Sequence, residues 1–351
     1  MKKLFLMAFA CISMQANAQQ SNPLTFSGYI ETYYSYDFSN PANHEKAAFL
    51  YNHNRHNELN LNLGLLKASY NTDKIRANIG IIAGTYAQYN LAGEQGLLKN
   101  IYEANIGFKI SKKNNLWFDA GIMPSHIGFE SAIGKDAWNL TRSLLAENSP
   151  YYESGARLSY TSRNEKWFLA ALVLNGWQRI QRVHGNQTPA FGTQLTFKPN
   201  SEITINWSSY IGNEQPDSLQ RWRYFNNLYT QWQVHKKLGV IVGFDYGIEQ
   251  KAYKSTSYNK WLTPVLIARY AANDKLVVAA RAEYYQDKNG VIITTGTVNG
   301  FQTFGYSLNL DYTVVNNLIW RIESRYLRSK DKIFADKNHN SYLTSALCFS
   351  F

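Results

Sequence analysis

The chain of 351 residues has very little cysteine and no long apolar segment beyond its start. Its two cysteines are Cys11 and Cys348, and Cys11 lies in an N-terminal segment that we expect to be removed, which excludes an intramolecular disulfide in the mature chain. No later run reaches the roughly 18 apolar residues of a transmembrane helix. If the mature chain spans a membrane, a closed β-barrel is the remaining way to do so.

The first 18 residues have the pattern of a cleavable signal peptide. Lys2-Lys3 precede an apolar run from Leu4 to Met14, and Ala16-Asn17-Ala18 fits an A-x-A cleavage site. We therefore expect cleavage after Ala18 and a single barrel domain over residues 19–351. An uncleaved anchor is disfavoured because the run is well short of the roughly 20 residues needed to span a bilayer. A lipoprotein modified at Cys11 is disfavoured by the very short apolar stretch before it.

Charge and motifs argue against several function classes. The formal net charge is +11, but the basic residues are scattered and form no nucleic-acid-binding motif. No G-x-S-x-G, H-E-x-x-H or phosphate-binding glycine loop occurs. Tyr152-Glu153-Ser154-Gly155 is similar to the motif of outer-membrane phospholipases, yet Tyr152 occupies the position of the histidine base. His53 and His56 are close together without a second cluster to complete a metal site. We expect no enzymatic activity, no cofactor and no metal.

Aromatic residues and a two-residue alternation are abundant. The chain has 25 Tyr, 18 Phe and 9 Trp at a mean hydropathy of -0.38, a composition that suits a barrel with aromatic girdles at two interfaces. Leu59, Leu61, Leu63 and Leu65 alternate with polar or small residues, as in a strand with two different faces. Such segments predict an all-β, antiparallel up-and-down barrel of 16 strands, near 25–37, 56–70, 74–89, 100–111, 115–123, 150–161, 166–178, 189–199, 201–213, 222–235, 238–250, 260–272, 275–287, 300–313, 317–329 and 340–351.

The predicted connections alternate between short and long. Seven short turns and eight long polar loops are expected when both chain ends lie on the periplasmic side. The last strand ends in Phe351, and a C-terminal aromatic residue on an alternating strand looks like the signal by which the barrel assembly machinery recognises its substrates. Together with the signal peptide, this pattern predicts a protein of the bacterial outer membrane.

Three segments stand out from the general alternation: Asp119 to Pro124 leading into His126 to Glu130, the Pro150 to Gly155 segment, and Asn175-Gly176-Trp177 at a strand end. In these segments the chain resembles the OmpL-like family of outer-membrane porins, also called putative β-barrel porin-2. The resemblance implies a channel for passive diffusion of small polar or charged solutes, and it names no particular solute. The alternative is a barrel that acts as an adhesin or structural surface protein through its long loops.

The alternation places charged residues of both signs on the inner face. We expect a water-filled pore in which these charges orient solutes, and Arg281, Arg321 and Arg325 in particular to be in contact with water. The alternative is a narrower lumen filled by mutually paired charges. The predicted pore-lining residues are Arg76, Glu103, Asp119, Glu153, Arg157, Asp245, Arg281, Glu283, Arg321, Glu323 and Arg325.

The longest predicted loop, 124–149, is a candidate constriction. Residues 135–147 have helix-forming content, and long irregular segments in compact architectures are usually functional. If the loop folds into the barrel, four charged residues would lie near the narrowest point: Lys135, Asp136, Arg142 and Glu147. The alternative is an outward loop that packs on the rim or on a neighbouring subunit. Expected partners are outer-membrane lipid, small solutes, a second copy of the chain, and the assembly machinery.

Overall fold

The computed structural model describes residues 22–351, which form one closed antiparallel barrel of sixteen strands. The predicted signal peptide and its cleavage site lie outside the described residues. Sequence neighbours are neighbours in the sheet, and the last strand pairs with the first. The strands are β1 (Leu24–Asp37), β2 (Leu59–Asn71), β3 (Ile75–Ala83), β4 (Ile101–Lys109), β5 (Asn115–Pro124), β6 (Tyr152–Thr161), β7 (Trp167–Leu174), β8 (Ala190–Phe197), β9 (Ile203–Asn213), β10 (Trp222–His235), β11 (Leu238–Gln250), β12 (Tyr258–Ala271), β13 (Leu276–Asp287), β14 (Phe301–Val315), β15 (Leu318–Ser329) and β16 (His339–Ser350).

The C-terminus takes part in closing the barrel. β1 and β16 pair from Tyr29 opposite Ser350 to Asp37 opposite Tyr342. Beyond this ladder, the Gly28 amide donates to the Phe351 carbonyl at 2.9 Å, and the Phe351 amide donates back to the Gly28 carbonyl at 3.1 Å. The Phe351 ring lies directly on Gly28, where any Cβ would overlap it. Glycine at this position therefore allows the final aromatic ring to pack on the first strand.

The alternation of short and long connections is confirmed among residues 22–351. Seven short turns lie at one end of the barrel and eight longer loops at the other. We number the loops L1 (38–58), L2 (84–100), L3 (125–151), L4 (175–189), L5 (214–221), L6 (251–257), L7 (288–300) and L8 (330–338). L2 contains helix α1 (Thr85–Asn90) and L3 contains helix α2 (Leu144–Glu147), and short 3₁₀ turns occur at Gly96–Asn100, Gly134–Asp136 and Asp217–Leu219.

Within residues 22–351, no helix is both long and apolar enough to cross a membrane.

The outer face of the barrel is apolar, with aromatic residues at both ends. Ile79 and Leu308 point outward and are 56% and 61% exposed. Outward aromatic residues near the turns include Trp167, Phe197, Trp232, Tyr312 and Trp320, and those near the loops include Phe304, Tyr306 and Tyr326. An apolar band between two aromatic girdles is the outer surface expected of a barrel in a lipid bilayer.

The predicted register is wrong for half of β2. Thr32 pairs with Leu61 and Glu31 pairs with Leu63, so Asn62 is an additional residue that forms a β-bulge. The Asn62 side-chain amide donates to Glu31 inside the barrel at 2.8 Å. Because a one-residue slip reverses every later side chain, Leu63 and Leu65 point inward and are buried, whereas the alternation had placed all four leucines toward lipid.

The predicted strand 74–89 is too long, because β3 ends at Ala83. Gly84 follows with φ of +117°, a conformation that side-chain-bearing residues rarely adopt. A Cβ on Gly84 would also lie 2.6 Å from the Asn62 carbonyl oxygen of the neighbouring strand. The chain then turns into α1, whose Tyr86 and Ala87 are buried in the barrel interior.

We predict that Leu308→Arg destabilises the barrel through its position in the bilayer. Leu308 lies midway along β14 between the outward aromatic residues Phe304 and Tyr312, close to the bilayer midplane. A lipid-facing arginine there should lower the free energy of unfolding by roughly 2 to 4 kcal/mol, and Tyr312→Arg near the interface by only ~1 kcal/mol or less. Chemical unfolding in phospholipid bilayers measures both values. Equal losses for the two variants would contradict the assigned membrane position.

Candidate solute channel

L3 lies inside the barrel, across the inward faces of β13, β14 and β15. Its backbone amides donate to side chains on these strands: Leu140 to Asn309 at 3.1 Å, Thr141 to Glu323 at 2.6 Å and Leu144 to Glu283 at 2.6 Å. Three consecutive strands thus each supply an acceptor to one loop. We call the inward faces of β13 to β15 the clamped wall.

Three arginines of the clamped wall bind backbone carbonyl oxygens of L3. Arg281 donates to Thr141 at 2.6 Å, Arg321 to Gly134 at 2.6 Å and Arg325 to Arg142 at 2.7 Å. The three arginines are at most 2% exposed. The expectation that they contact water is therefore wrong, because the alternation gives the face of the strand but not the loop that covers it.

The same arginines are paired with carboxylates. Arg281 contacts Glu323 at 2.9 Å, Arg325 contacts Glu283 at 2.5 Å and Arg321 contacts Asp311 at 2.6 Å. Buried charges are tolerated when each is paired and its remaining hydrogen-bonding atoms have partners. On the clamped wall the lumen is therefore filled by mutually paired charges, as in the alternative considered above. Five of the predicted pore residues hold the loop there and do not line open water: Arg281, Glu283, Arg321, Glu323 and Arg325.

The four charged residues predicted at the constriction fall into two pairs. Arg142 is fully buried and donates to the Ser131 and Leu140 carbonyl oxygens of its own loop. Glu147 is also buried and accepts from the Tyr51 amide of L1 at 2.9 Å, while burial raises the pKa of its carboxyl to about 7. Lys135 and Asp136 are exposed and lie 3.6 Å apart. Arg142 and Glu147 therefore shape the loop, whereas Lys135 and Asp136 face open space.

The inward faces of β2 to β6, which we call the open wall, carry charges that stay in partial contact with solvent. Arg76 and Arg157 both contact the buried carboxylate of Asp119, at 2.5 and 3.3 Å. Lys67 contacts the predicted pore residue Glu103 at 2.6 Å. The side chains of Arg76, Arg157 and Lys67 are 23 to 29% exposed.

Lys67 was missed because the β2 bulge turns it inward. Without the bulge Lys67 would face lipid, and a lipid-facing lysine destabilises a barrel. Its charge was therefore the one feature of the sequence that indicated a break in the alternation there. Its pairing with Glu103 on β4 follows from the corrected register.

The remaining predicted pore residues fix the start of L3. Glu153 contacts the His126 ring at 2.7 Å, and the other ring nitrogen of His126 lies 2.9 Å from the Ser209 carbonyl oxygen. Asp245 accepts from Asn227 at 2.5 Å, and Asn227 in turn accepts from the Gly128 amide of L3. Glu153 and Asp245 are therefore buried anchors of the loop. His126 and Asn227 could not be recognised in the sequence, because their partners lie on distant strands.

Among the cavities that residues 22–351 enclose, one lies at each end of the lumen. The outer cavity, about 300 Å³, lies among L1 to L4 and L7 at the loop end. The inner cavity, about 610 Å³, lies near the turns between β6 and β10, and its lining includes Lys166, Thr196, Lys198, Thr204 and Gln231. Both have polar linings, in contrast to the apolar outer face.

A closed barrel of sixteen strands with an apolar girdled exterior, a polar interior and a loop folded into the lumen defines the class of outer-membrane porins. The sequence matches the family model "Putative beta-barrel porin-2, OmpL-like" over residues 23–351, and the chain belongs to this family. It is therefore a porin of the bacterial outer membrane.

Three solved structures with a similar fold are distant from this chain in sequence. The outer membrane channel DcaP of Acinetobacter baumannii is 12% identical, with a TM-score of 0.62 over 93% of this chain and 97% of that chain. An anion-selective porin from Comamonas acidovorans is 8% identical, with a TM-score of 0.61 over 93% and 99%. A trimer form of OmpT of Vibrio cholerae is 9% identical, with a TM-score of 0.58 over 93% and 99%. No curated protein matches the sequence significantly.

We predict that Arg321→Met destabilises the protein far more than Arg76→Met. Both arginines pair with an aspartate, but Arg321 is buried and also binds L3, whereas Arg76 is partly exposed and Asp119 keeps Arg157 as a second partner. Removing one partner of a buried pair costs roughly 3 to 5 kcal/mol, and an exposed pair contributes about 0 to 1 kcal/mol. Chemical unfolding in bilayers compares the two, and similar losses would show that the clamp does not hold L3.

Proposed function

We propose that the protein conducts small polar solutes by passive diffusion through a lumen that L3 narrows from one side. The observation that carries this proposal is the asymmetry of the interior: L3 is bound to the clamped wall, while Arg76, Arg157 and Lys67 of the open wall keep contact with solvent. A solute would pass between the outer and the inner cavity along the open side. Of the predicted pore residues, we propose that Arg76 and Arg157 line this path, while the buried carboxylates of Glu103 and Asp119 hold the lining cations in place.

We further propose a preference for anions. Arg76 and Arg157 share the single carboxylate of Asp119, which leaves one net positive charge at this part of the open wall. Lys67 and Glu103 cancel each other nearby. At the inner cavity, Lys166 and Lys198 exceed the one acidic lining residue, Glu165. A positive potential along a narrow aqueous path raises the local concentration of anions.

A channel is preferred over the two other functions considered, an enzyme and an adhesin. The family and the fold point to a channel and away from an enzyme. Family membership also favours a channel over an adhesin, because the matched family is one of porins.

Two partners are proposed on indirect grounds. A homo-oligomer is supported by the distant structural relative described as a trimer form, an argument by analogy of fold. The assembly machinery is a proposed partner of the last strand, because Phe351 ends an alternating strand and packs on Gly28 at the closure.

We predict that replacing residues 135–147 with a short glycine linker raises the single-channel conductance about twofold or more. This segment lies along the clamped wall inside the lumen, and its removal exposes that wall to water without touching any strand. Planar-bilayer recording measures the change. The same linker in place of 252–256, on the rim in L6, serves as the control and should leave conductance unchanged. An unaltered conductance in the L3 variant would overturn the constriction.

We also predict that Arg157→Gln reduces the anion preference. Asp119 then retains only Arg76, so the net positive charge at this part of the wall disappears while the polar lining remains. The reversal potential across a salt gradient should move toward cations. Arg328→Gln removes the same charge from the outer face of β15 and should have no effect. A shift with Arg328→Gln and none with Arg157→Gln would place the conducting path elsewhere.

A further inference from the structure

The outer cavity is assembled from five loops that are far apart in the sequence. Tyr51 comes from L1, Tyr89 from L2, Ser149 from L3, Trp177 from L4 and Ile292 from L7. Its volume of about 300 Å³ is at the lower end of the range typical of small-molecule sites. A space of this size between loops has functional meaning only if the loops hold a fixed arrangement.

The loops around this cavity are held together by specific hydrogen bonds. Gln178 of L4 accepts from the Tyr151 amide of L3 at 2.8 Å and donates to the Asn90 carbonyl of L2 at 3.1 Å. Glu147 accepts from the Tyr51 amide, which joins L3 to L1. Asp287 of β13 accepts from the Ile292 amide of L7 at 2.7 Å. The cavity is therefore formed before any solute arrives, which lowers the entropic cost of binding.

Several polar groups of the lining have no partner among residues 22–351. The Arg179 guanidinium, the Trp177 indole N–H and the Tyr51 hydroxyl make no hydrogen bond there, and these half-buried side chains stay open to solvent. The side-chain amide of Asn90, 5% exposed, is unpaired at both its nitrogen and its oxygen, and the Asn148 side-chain oxygen is unpaired as well. Unpaired buried polar groups cost free energy, which a ligand that reaches them would recover.

The chemistry of these groups selects the kind of ligand. Arg179, Trp177 and the amide nitrogen of Asn90 require acceptors, whereas the side-chain oxygens of Asn90 and Asn148 require donors. A simple carboxylate or phosphate offers acceptors only, so it can pair with the donors of the lining but not with its acceptors. Hydroxyl groups both donate and accept, so they can pair with all of these groups.

The aromatic part of the lining favours a ring with apolar faces. Tyr51, Tyr89 and Trp177 are half-buried and expose part of their rings to the cavity, and Val291 and Ile292 add aliphatic surface. The C–H face of a sugar ring packs on such surfaces while its hydroxyls point to the surrounding polar groups.

We propose that the outer cavity is a binding site for a sugar of one or two rings, taken up from the loop side before it passes the constriction. This proposal rests on the channel function proposed above and adds an uncharged solute class to the small anions that the open wall favours. A bound sugar would replace solvent on the half-buried Arg179 and Trp177 side chains, and it would stand close to the unpaired side-chain amides of Asn90 and Asn148. A solute bound in the outer cavity would also stand at the beginning of the proposed path along the open wall.

The test measures binding and conductance separately, with glucose and maltose as probes. Calorimetry on the folded, detergent-solubilised protein should show saturable binding of one of these sugars, and planar-bilayer recording should show a current that falls with sugar concentration to a plateau. Arg179→Met should weaken binding about tenfold, as the loss of one charged hydrogen bond predicts. Trp177→Phe, which keeps the ring and removes the N–H, should weaken it by a smaller factor.

Two further measurements make the outcome decisive. Lys254→Met removes an exposed charge of L6 away from the cavity and should leave sugar binding unchanged, and heat-dependent gel mobility shows that each variant is folded. Glycylglycine tests the alternative that the cavity binds a zwitterion, whose carboxylate would pair with Arg179 and whose ammonium group would pair with Glu147. Saturable binding of this dipeptide without sugar binding would overturn the proposal, as would conducting protein that binds neither sugar. Sugar binding without conductance would retain the site and overturn the channel function.

Discussion

The whole structure depends on the requirement that every backbone polar group inside a bilayer has a hydrogen-bond partner. An open sheet leaves two edges unpaired, so the chain must return to its first strand, and it does so through the β1–β16 ladder. Closure then fixes the rest: one face of each strand meets lipid and the other meets the lumen. The Phe351 ring on Gly28 extends this closure to the last residue.

A lumen enclosed by sixteen strands is wide enough for water, and the chain occupies much of it with its own loop. Hydrogen bonds run from L3 amides to wall carboxylates and from wall arginines to L3 carbonyls, so the loop is fixed along its backbone as well as by side chains such as His126. Such a cluster contributes little to stability compared with an apolar core, but it specifies one position for the loop. A constriction requires that kind of positional definition.

The strand number, the order of loops and turns, and the inward charges could all be predicted from the sequence, because lipid on one face and polar interior on the other impose a strict two-residue period. The prediction failed where local geometry breaks that period. At Asn62 one additional residue changes the face on which every later side chain of β2 lies, so Leu63 and Lys67 point inward. At Gly84 a left-handed backbone ends β3 early. The partners of Arg281 could not be foreseen either, because a loop position follows from tertiary contacts between residues about 140 apart.

The distribution of charge inside the barrel connects the fixed loop to solute passage. Where charges of opposite sign are buried and paired, as between Arg281 and Glu323, their fields largely cancel within a few ångströms and have little effect on a passing ion. Where two cations share one carboxylate beside water, as at Asp119, a net potential remains in the space that L3 leaves free. The loop therefore does more than reduce the cross-section of the channel. By covering the neutralised wall, it would direct the proposed path along the wall that carries net charge, so in the proposed channel the same placement would set both the size and the charge of the solutes that pass.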